Sequence, residues 1–149
     1  MKEHYYDVTV EWLQDRKGIA SSTVLDDTIE VVTPPEFKGG ISGRWSPEHL
    51  FTAAVNSCLM TTFLAIAENS NLHFSAFTSK AAGKLELVDG KYLMTEIILK
   101  PEVTIIAEED TEKALRILNK SEAACLISNS IKSKITMIPV IHIAASAES

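Results

Sequence analysis

From His4 to Gln14 the chain reads HYYDVTVEWLQ, an alternation of polar and apolar residues with the period-two signature of a strand. Asp15-Arg16-Lys17-Gly18 supplies a turn, residues 19–25 form a returning strand, Asp26-Asp27 turns again, and residues 28–33 form a third. Turns this short cannot make parallel crossovers, so an antiparallel meander is predicted, ending at Pro34-Pro35. The pattern then changes. From Ser46 to Asn71 the chain reads SPEHLFTAAVNSCLMTTFLAIAENSN. Ser46 suits a helix cap, Pro47 the first helical position, and Glu48 puts negative charge at the positive end of the dipole. Between Leu50 and Ala67 there is no charge on any side, the mark of a helix buried all round. About 25 helical residues span on the order of 37 Å, roughly a small domain's diameter.

Residues 74–88 and 92–106 flank Asp89-Gly90, a strong hairpin signal. Pro101 in the second arm suggests an edge position or a bulge. Residues 108–124 are amphipathic, with Ala114, Leu115, Leu118 and Ala124 on one face and Lys113, Arg116 and Lys120 opposite. Residues 125–131 predict a further short helix, and residues 134–144 a last strand in which Pro139 again implies an edge or bulge. The order βββ-α-ββ-αα-β clusters its strands, so the expected class is α+β, as one domain over residues 1–149. One sheet from a chain this small cannot easily cover every side of the long helix. The remedy expected is a two-fold homodimer with the two long helices packed together.

Composition narrows the functions. A net charge of −6 and a pI near 5.2 argue against nucleic acid or an anionic membrane surface as the main partner. The apolar run from Leu50 to Ala67 has about the length of a membrane span. It carries Thr52, Asn56, Ser57, Thr61 and Thr62, however, and reads as the buried centre of a soluble, cytoplasmic protein. The glycine-rich loop EFKGGISGRW lacks the spacing of a phosphate-binding loop. His4, His49, His73 and His142 are scattered without metal-ligand spacing, so neither a metal nor a bound cofactor is expected. That leaves two cysteines, Cys58 midway along the long helix and Cys125 after the amphipathic one. In a reducing compartment they would pair only transiently.

With these elements laid out, the sequence resembles the OsmC/Ohr family, the osmotically inducible and organic hydroperoxide resistance proteins. Ser46-Pro47-Glu48-His49-Leu50-Phe51, then Ala53-Ala54 and Ser57-Cys58, looks like the family's [NS]PE-x-L-[FL]-x-A-A…C signature. Cys125 with Ser128 looks like its CPxS segment, with Leu126 in place of the proline. The resemblance implies a thiol peroxidase acting on organic hydroperoxides as an intertwined homodimer, with dihydrolipoyl groups or other dithiols as reductant. It also implies Cys58 as peroxidatic and Cys125 as resolving cysteine, with Glu48 and an arginine from the first turn as the activating pair. Arg16 occupies that place; Arg44 also stands close to the helix start. Trp45 and Phe51 would wall an apolar entrance favouring organic hydroperoxides.

The chemistry fits those residue types. Only a thiolate attacks an O–O bond, and burial in apolar surroundings raises a thiol's pKa. A mid-helix cysteine gains nothing from the helix dipole, whose effect fades within a turn. A nearby arginine would keep the sulfur ionised, and a carboxylate would hold that arginine. Glu48 and Cys58 lie ten positions apart, about 15 Å of helix rise, and cannot meet around one small substrate on a straight helix. The carboxylate therefore either reaches the site through a long arginine or comes from the other subunit. Standing alone, Cys58 reads as an inert packed thiol and Arg16 as a solvated turn residue. The reading from a different class is a non-catalytic dimer that binds a small apolar molecule or senses oxidants.

Overall fold

A computed structural model describes residues 3–145. The chain divides into two compact units, one ending at Leu50 and the other starting at Phe51.

The first unit is a three-stranded antiparallel meander of β1 (Thr9–Gln14), β2 (Lys17–Ser21) and β3 (Ile29–Val32). The strands are shorter than the alternation predicts: residues 4–8 and 22–25 take no regular structure. Asp15 turns the first hairpin at φ +48°. Every residue of β1 is exposed, including Val10 and Trp12. An alternating pattern requires a surface to cover one face, and among the described residues nothing covers either face of β1.

The second unit is built on a long hairpin. β4 (Phe74–Val88) and β5 (Lys91–Ile105) pair antiparallel along their length. Asp89 and Gly90 turn it at φ +49° and +80°, the left-handed pair that a two-residue hairpin needs. β6 (Lys134–Met137) and β7 (Val140–Ile143) both run parallel to β5 on its other side. The single last strand expected from the sequence is thus two strands broken at Ile138-Pro139. Pro101 is not at an edge and not at a bulge. It is buried on the central strand, at the gap between the segments paired with β6 and with β7. A missing N–H is tolerated where the ladder is already broken. On the β4 side, Pro101 has no N–H to give its register partner Ser79; the Ser79 carbonyl accepts Asn56 Nδ2 from the long helix at 2.8 Å.

That helix, α1 (Pro47–Asn69), begins in the first unit and continues through the second. Val55, Leu59, Phe63 and Ala67 are its buried residues, one stripe at four-residue spacing. They pack on Ile97, Leu99, Val103 and Ile105, alternate residues of β5, in two adjoining clusters. At Gly83 helix and hairpin come so close that an added methyl would stand 2.2 Å from Thr52 Oγ1. α2 (Thr111–Ala124) adds Ala114, Ile117 and Leu118 to the same core, with Ser121 also buried; Leu115 is only half-buried and Ala124 exposed. A single 3₁₀ turn, Ser128–Ser130, stands where a second short helix was expected.

The long helix is not buried on all sides within one chain. Ala54, Ser57, Met60, Thr61 and Leu64 on its outward side are exposed. Among the described residues α1 is the one helix long and apolar enough to cross a membrane, and 28% of its most apolar window is buried. Its lack of amphipathic contrast therefore reflects two apolar faces, one used by the sheet and one uncovered.

The Asn56 contact gives a stability prediction. Asn56→Ala leaves the Ser79 carbonyl without its side-chain donor and should cost about 1–3 kcal/mol in urea denaturation. Unchanged stability would mean that water serves that carbonyl equally well.

Candidate functional site

Each cysteine is placed by packing around it. Cys58 is half-buried in α1, one position before Leu59, whose side chain is locked on β5. Cys125 is buried and ends α2 with extended backbone, φ −65° and ψ 113°. That turn sends the chain back toward α1, where Ile127 and Ile131 pack on the cluster of Val55, Leu59, Ile97 and Leu99. The loop is thereby pinned beside Cys58, and the two thiols lie within hydrogen-bonding reach of one another although separated by the whole hairpin and α2.

The two sulfurs differ in acidity. Burial pushes the Cys58 thiol up, but hydrogen bonds from the Cys125 thiol, the Ile127 amide, the Thr62 hydroxyl and the Leu126 amide outweigh it, leaving it below the ordinary thiol value. Thr62 Oγ1 is 3.9 Å from Cys58 Sγ, one helical turn along. Burial also pushes Cys125 up, and its hydrogen bond to Cys58 adds to this, against a smaller opposing pull from the Ser128 side chain and amide. Cys58 is the group that ionises first, and Cys125 keeps its proton and donates it toward the thiolate. A pair with unequal acidity sorts itself into nucleophile and acid.

Arg16 and Glu48 both belong to the first unit. They line one cavity of about 290 Å³ with Val31, Val32, Thr33, Pro34, Phe37 and Pro47. Arg16 lies across Gly39, which holds φ +79°; a methyl there would stand 3.1 Å from Arg16 Nε and 3.2 Å from its Cγ. Arg44 is engaged elsewhere, its Nε 2.9 Å from Glu30 Oε1 in an exposed ion pair. Glu48 belongs to the first helical turn, which Ser46 caps: Ser46 Oγ accepts the His49 N–H at 3.2 Å and lies 2.7 Å from His49 Nδ1. Trp45 is half exposed and meets the His49 ring edge-on at 6.3 Å. Phe51 packs against the core cluster around Val55 and Leu59 in the second unit.

The predicted residues thus fall into two pairs, Cys58 with Cys125 in the second unit and Arg16 with Glu48 in the first. Three groups at the thiols lie outside the residues named from the sequence, Thr62 and the amides of Leu126 and Ile127, while Ser128 of the CPxS-like segment stands at Cys125. Thr62 was legible as the i+4 neighbour of Cys58 on one helix face. The amides carry no residue-type signal of their own.

The arrangement has relatives. The uncharacterized protein YmaD of Bacillus subtilis is 21% identical over 140 residues, covering 92% of this chain and 93% of that protein. A solved OsmC-like protein of unknown function from Vibrio cholerae superposes with a TM-score of 0.82 at 22% identity, covering 94% of this chain and 100% of that one. An organic hydroperoxide resistance protein from Elizabethkingia anophelis gives 0.74 at 20% identity, over 97% and 100% of the two chains. These likenesses share the α+β architecture described above. The family model for OsmC-like proteins matches residues 39–139, a span that runs from Gly39 under Arg16 through both cysteines to the end of β6, and on that match the chain belongs to the OsmC-like protein family.

Proposed function

We propose that this protein is a cysteine-based peroxidase that reduces organic hydroperoxides to alcohols. The observation that carries the reading is the paired thiols: a half-buried Cys58 more acidic than an ordinary thiol, in hydrogen-bonding reach of a Cys125 that holds its proton. The Cys58 thiolate attacks the outer oxygen of ROOH, the O–O bond breaks, and the alkoxide takes a proton to leave as ROH. Cys58 is then the sulfenic acid. The Cys125 sulfur attacks it, a disulfide forms, and the hydroxyl leaves as water with the Cys125 proton. A dithiol, such as a dihydrolipoyl group, returns both cysteines to thiols and is itself oxidised to its disulfide. No bound cofactor or metal takes part in these steps.

Arg16 and Glu48 are the charged pair in this reading. Arg16 attracts the developing alkoxide and the thiolate, and Glu48 orients the guanidinium. Support comes from their shared cavity and from the engagement of Arg44 by Glu30. The site works in a homodimer in the cytoplasm. The uncovered faces of α1 and β1 support a second copy as the occupant, because α1's outward side is uncharged from Ala54 to Leu64 and suits packing against its own image.

Three measurements test this. One equivalent of cumene hydroperoxide per chain should remove two titratable thiols rapidly. Cys58→Ser should abolish the loss, and Cys125→Ser should stall at a sulfenic acid that dimedone traps. Thiols that survive the peroxide would leave a binding or sensing role instead. Co-expressed Glu48→Ala and Cys58→Ser chains should recover part of the activity if the pair acts across subunits, and none if it acts within one. Light scattering should give a dimer that Leu64→Asp converts to monomer; a wild-type monomer would remove the interface.

A further inference from the structure

On its own helix Cys58 is covered by two threonines. A helical side chain leans back over the turn that precedes it, so the residues of α1 able to reach a group at position 58 stand three and four places later. Both are threonines, Thr61 and Thr62, and they use their hydroxyls differently. Thr61 Oγ1 donates to the Cys58 carbonyl at 3.2 Å, the back-bond to its own helix that threonine commonly makes. Thr62 makes no such bond. Among the described residues its hydroxyl has one partner, Cys58 Sγ at 3.9 Å. A hydroxyl turned from the helix backbone toward a sulfur calls for a reason, and the protonation state of that sulfur supplies one.

While Cys58 is a thiol, either atom of this contact can donate. Once the sulfur has lost its proton it can only accept, and the O–H of Thr62 must point at it. The change needs the rotation of one hydroxyl hydrogen and no movement of heavier atoms. Thr62 is held ready for it. A β-branched side chain has little χ1 freedom inside a helix, and the next residue, Phe63, is fully buried against the sheet, as Leu59 is after Cys58. A donor fixed before the charge appears needs no reorganisation when it does. We propose that Thr62 is a further catalytic residue, whose hydroxyl donates to the Cys58 thiolate and keeps it the more reactive sulfur, while Thr61 serves only the helix backbone. The acidity of Cys58, with the Thr62 hydroxyl among its causes, agrees with this. The Cys125 thiol cannot fill the role throughout, because it is consumed when the disulfide forms. The threonine is unchanged by each turnover and is in place again when the sulfur is returned to thiolate.

The inference rests on the peroxidase reading for Cys58 as the reacting sulfur, but it is tested without turnover, by iodoacetamide alkylation of Cys58 against pH. Thr62→Val keeps the side chain's shape and removes its hydroxyl. Its alkylation midpoint should rise, and below that midpoint the rate should fall roughly threefold or more, in keeping with the loss of a hydrogen bond to a charged group. Thr62→Ala, which suits a helix better, should shift the midpoint in the same direction. Thr62→Ser restores the hydroxyl and should bring the midpoint back to the wild-type value, a recovery that a packing defect would not show. A folded Thr62→Val or Thr62→Ala with the wild-type midpoint overturns the proposal, as does a folded Thr62→Ser that recovers nothing. If neither Thr62→Val nor Thr62→Ala folds, wild-type protein labelled with ¹³C-threonine decides. The Thr62 methyl signal should move with the Cys58 midpoint and hold still in Cys58→Ser; a signal that ignores Cys58 overturns the donor. A midpoint that depends on Thr62 in a protein without peroxide turnover would leave the donor standing and remove the peroxidase reading instead.

Discussion

Everything in the second unit depends on two periodicities that fit each other. A helix offers a straight stripe when it repeats every four residues or so, and a strand offers one face when it repeats every two. Val55, Leu59, Phe63 and Ala67 form the first stripe; Ile97, Leu99, Pro101, Val103 and Ile105 form the second, all buried. The strand receives its partners on both sides, β4 along one edge and β6 and β7 along the other. Each fully buried aliphatic side chain in such a seam stabilises by about 1.5–3 kcal/mol relative to exposure. Once this seam is set, Cys58 has no freedom of position, because the residue after it is one of the anchors.

The second constraint is that a thiolate must be made inside an environment that disfavours charge. The opposing effects at Cys58 are visible: burial raises the acidity constant's pKa, and a set of neutral donors more than offsets that. Neutral donors avoid the desolvation cost that an added buried cation carries. In the reaction we propose, the thiol at Cys125 serves twice, first as a donor that holds the anion and then as the group that closes the disulfide. Its own burial, which keeps it protonated, is what lets it fill the first role without competing for the second.

Much of this was legible in the residues, and the failures have physical causes. Asp89-Gly90 marked its turn because few other residue pairs tolerate two left-handed conformations, and the helix start was marked by Ser46, Pro47 and Glu48 for reasons equally local. The α+β class followed from the clustering of the strands, and the meander from turn lengths. Tertiary context misled at Pro101, where the rule against proline in a central strand assumes a continuous ladder and this ladder has a gap. The long helix was read as buried all round because composition reports apolar faces without saying who covers them. Alternation from His4 overestimated β1 for the same reason: pairing with β2 ends at Thr9, and pattern alone cannot supply a partner strand. At the site, both cysteines, Arg16 and Glu48 were named by the resemblance to the OsmC/Ohr family. The Leu126 and Ile127 amides could not, since every residue but proline has one.

The parallel pairing of β6 and β7 with β5 also fixes an order of assembly. The β4–β5 hairpin closes through a two-residue turn and needs nothing that follows it in the chain. The parallel strands must wait for α2 and the loop after it, and such non-local closures are slow because chain entropy is lost before contacts repay it. During synthesis from the amino terminus, α1 can therefore settle on its hairpin well before the last strands emerge to clamp the loop that carries Cys125. Cys58 thus belongs to the part of the unit that can settle early, and Cys125 to the part that waits for the parallel strands.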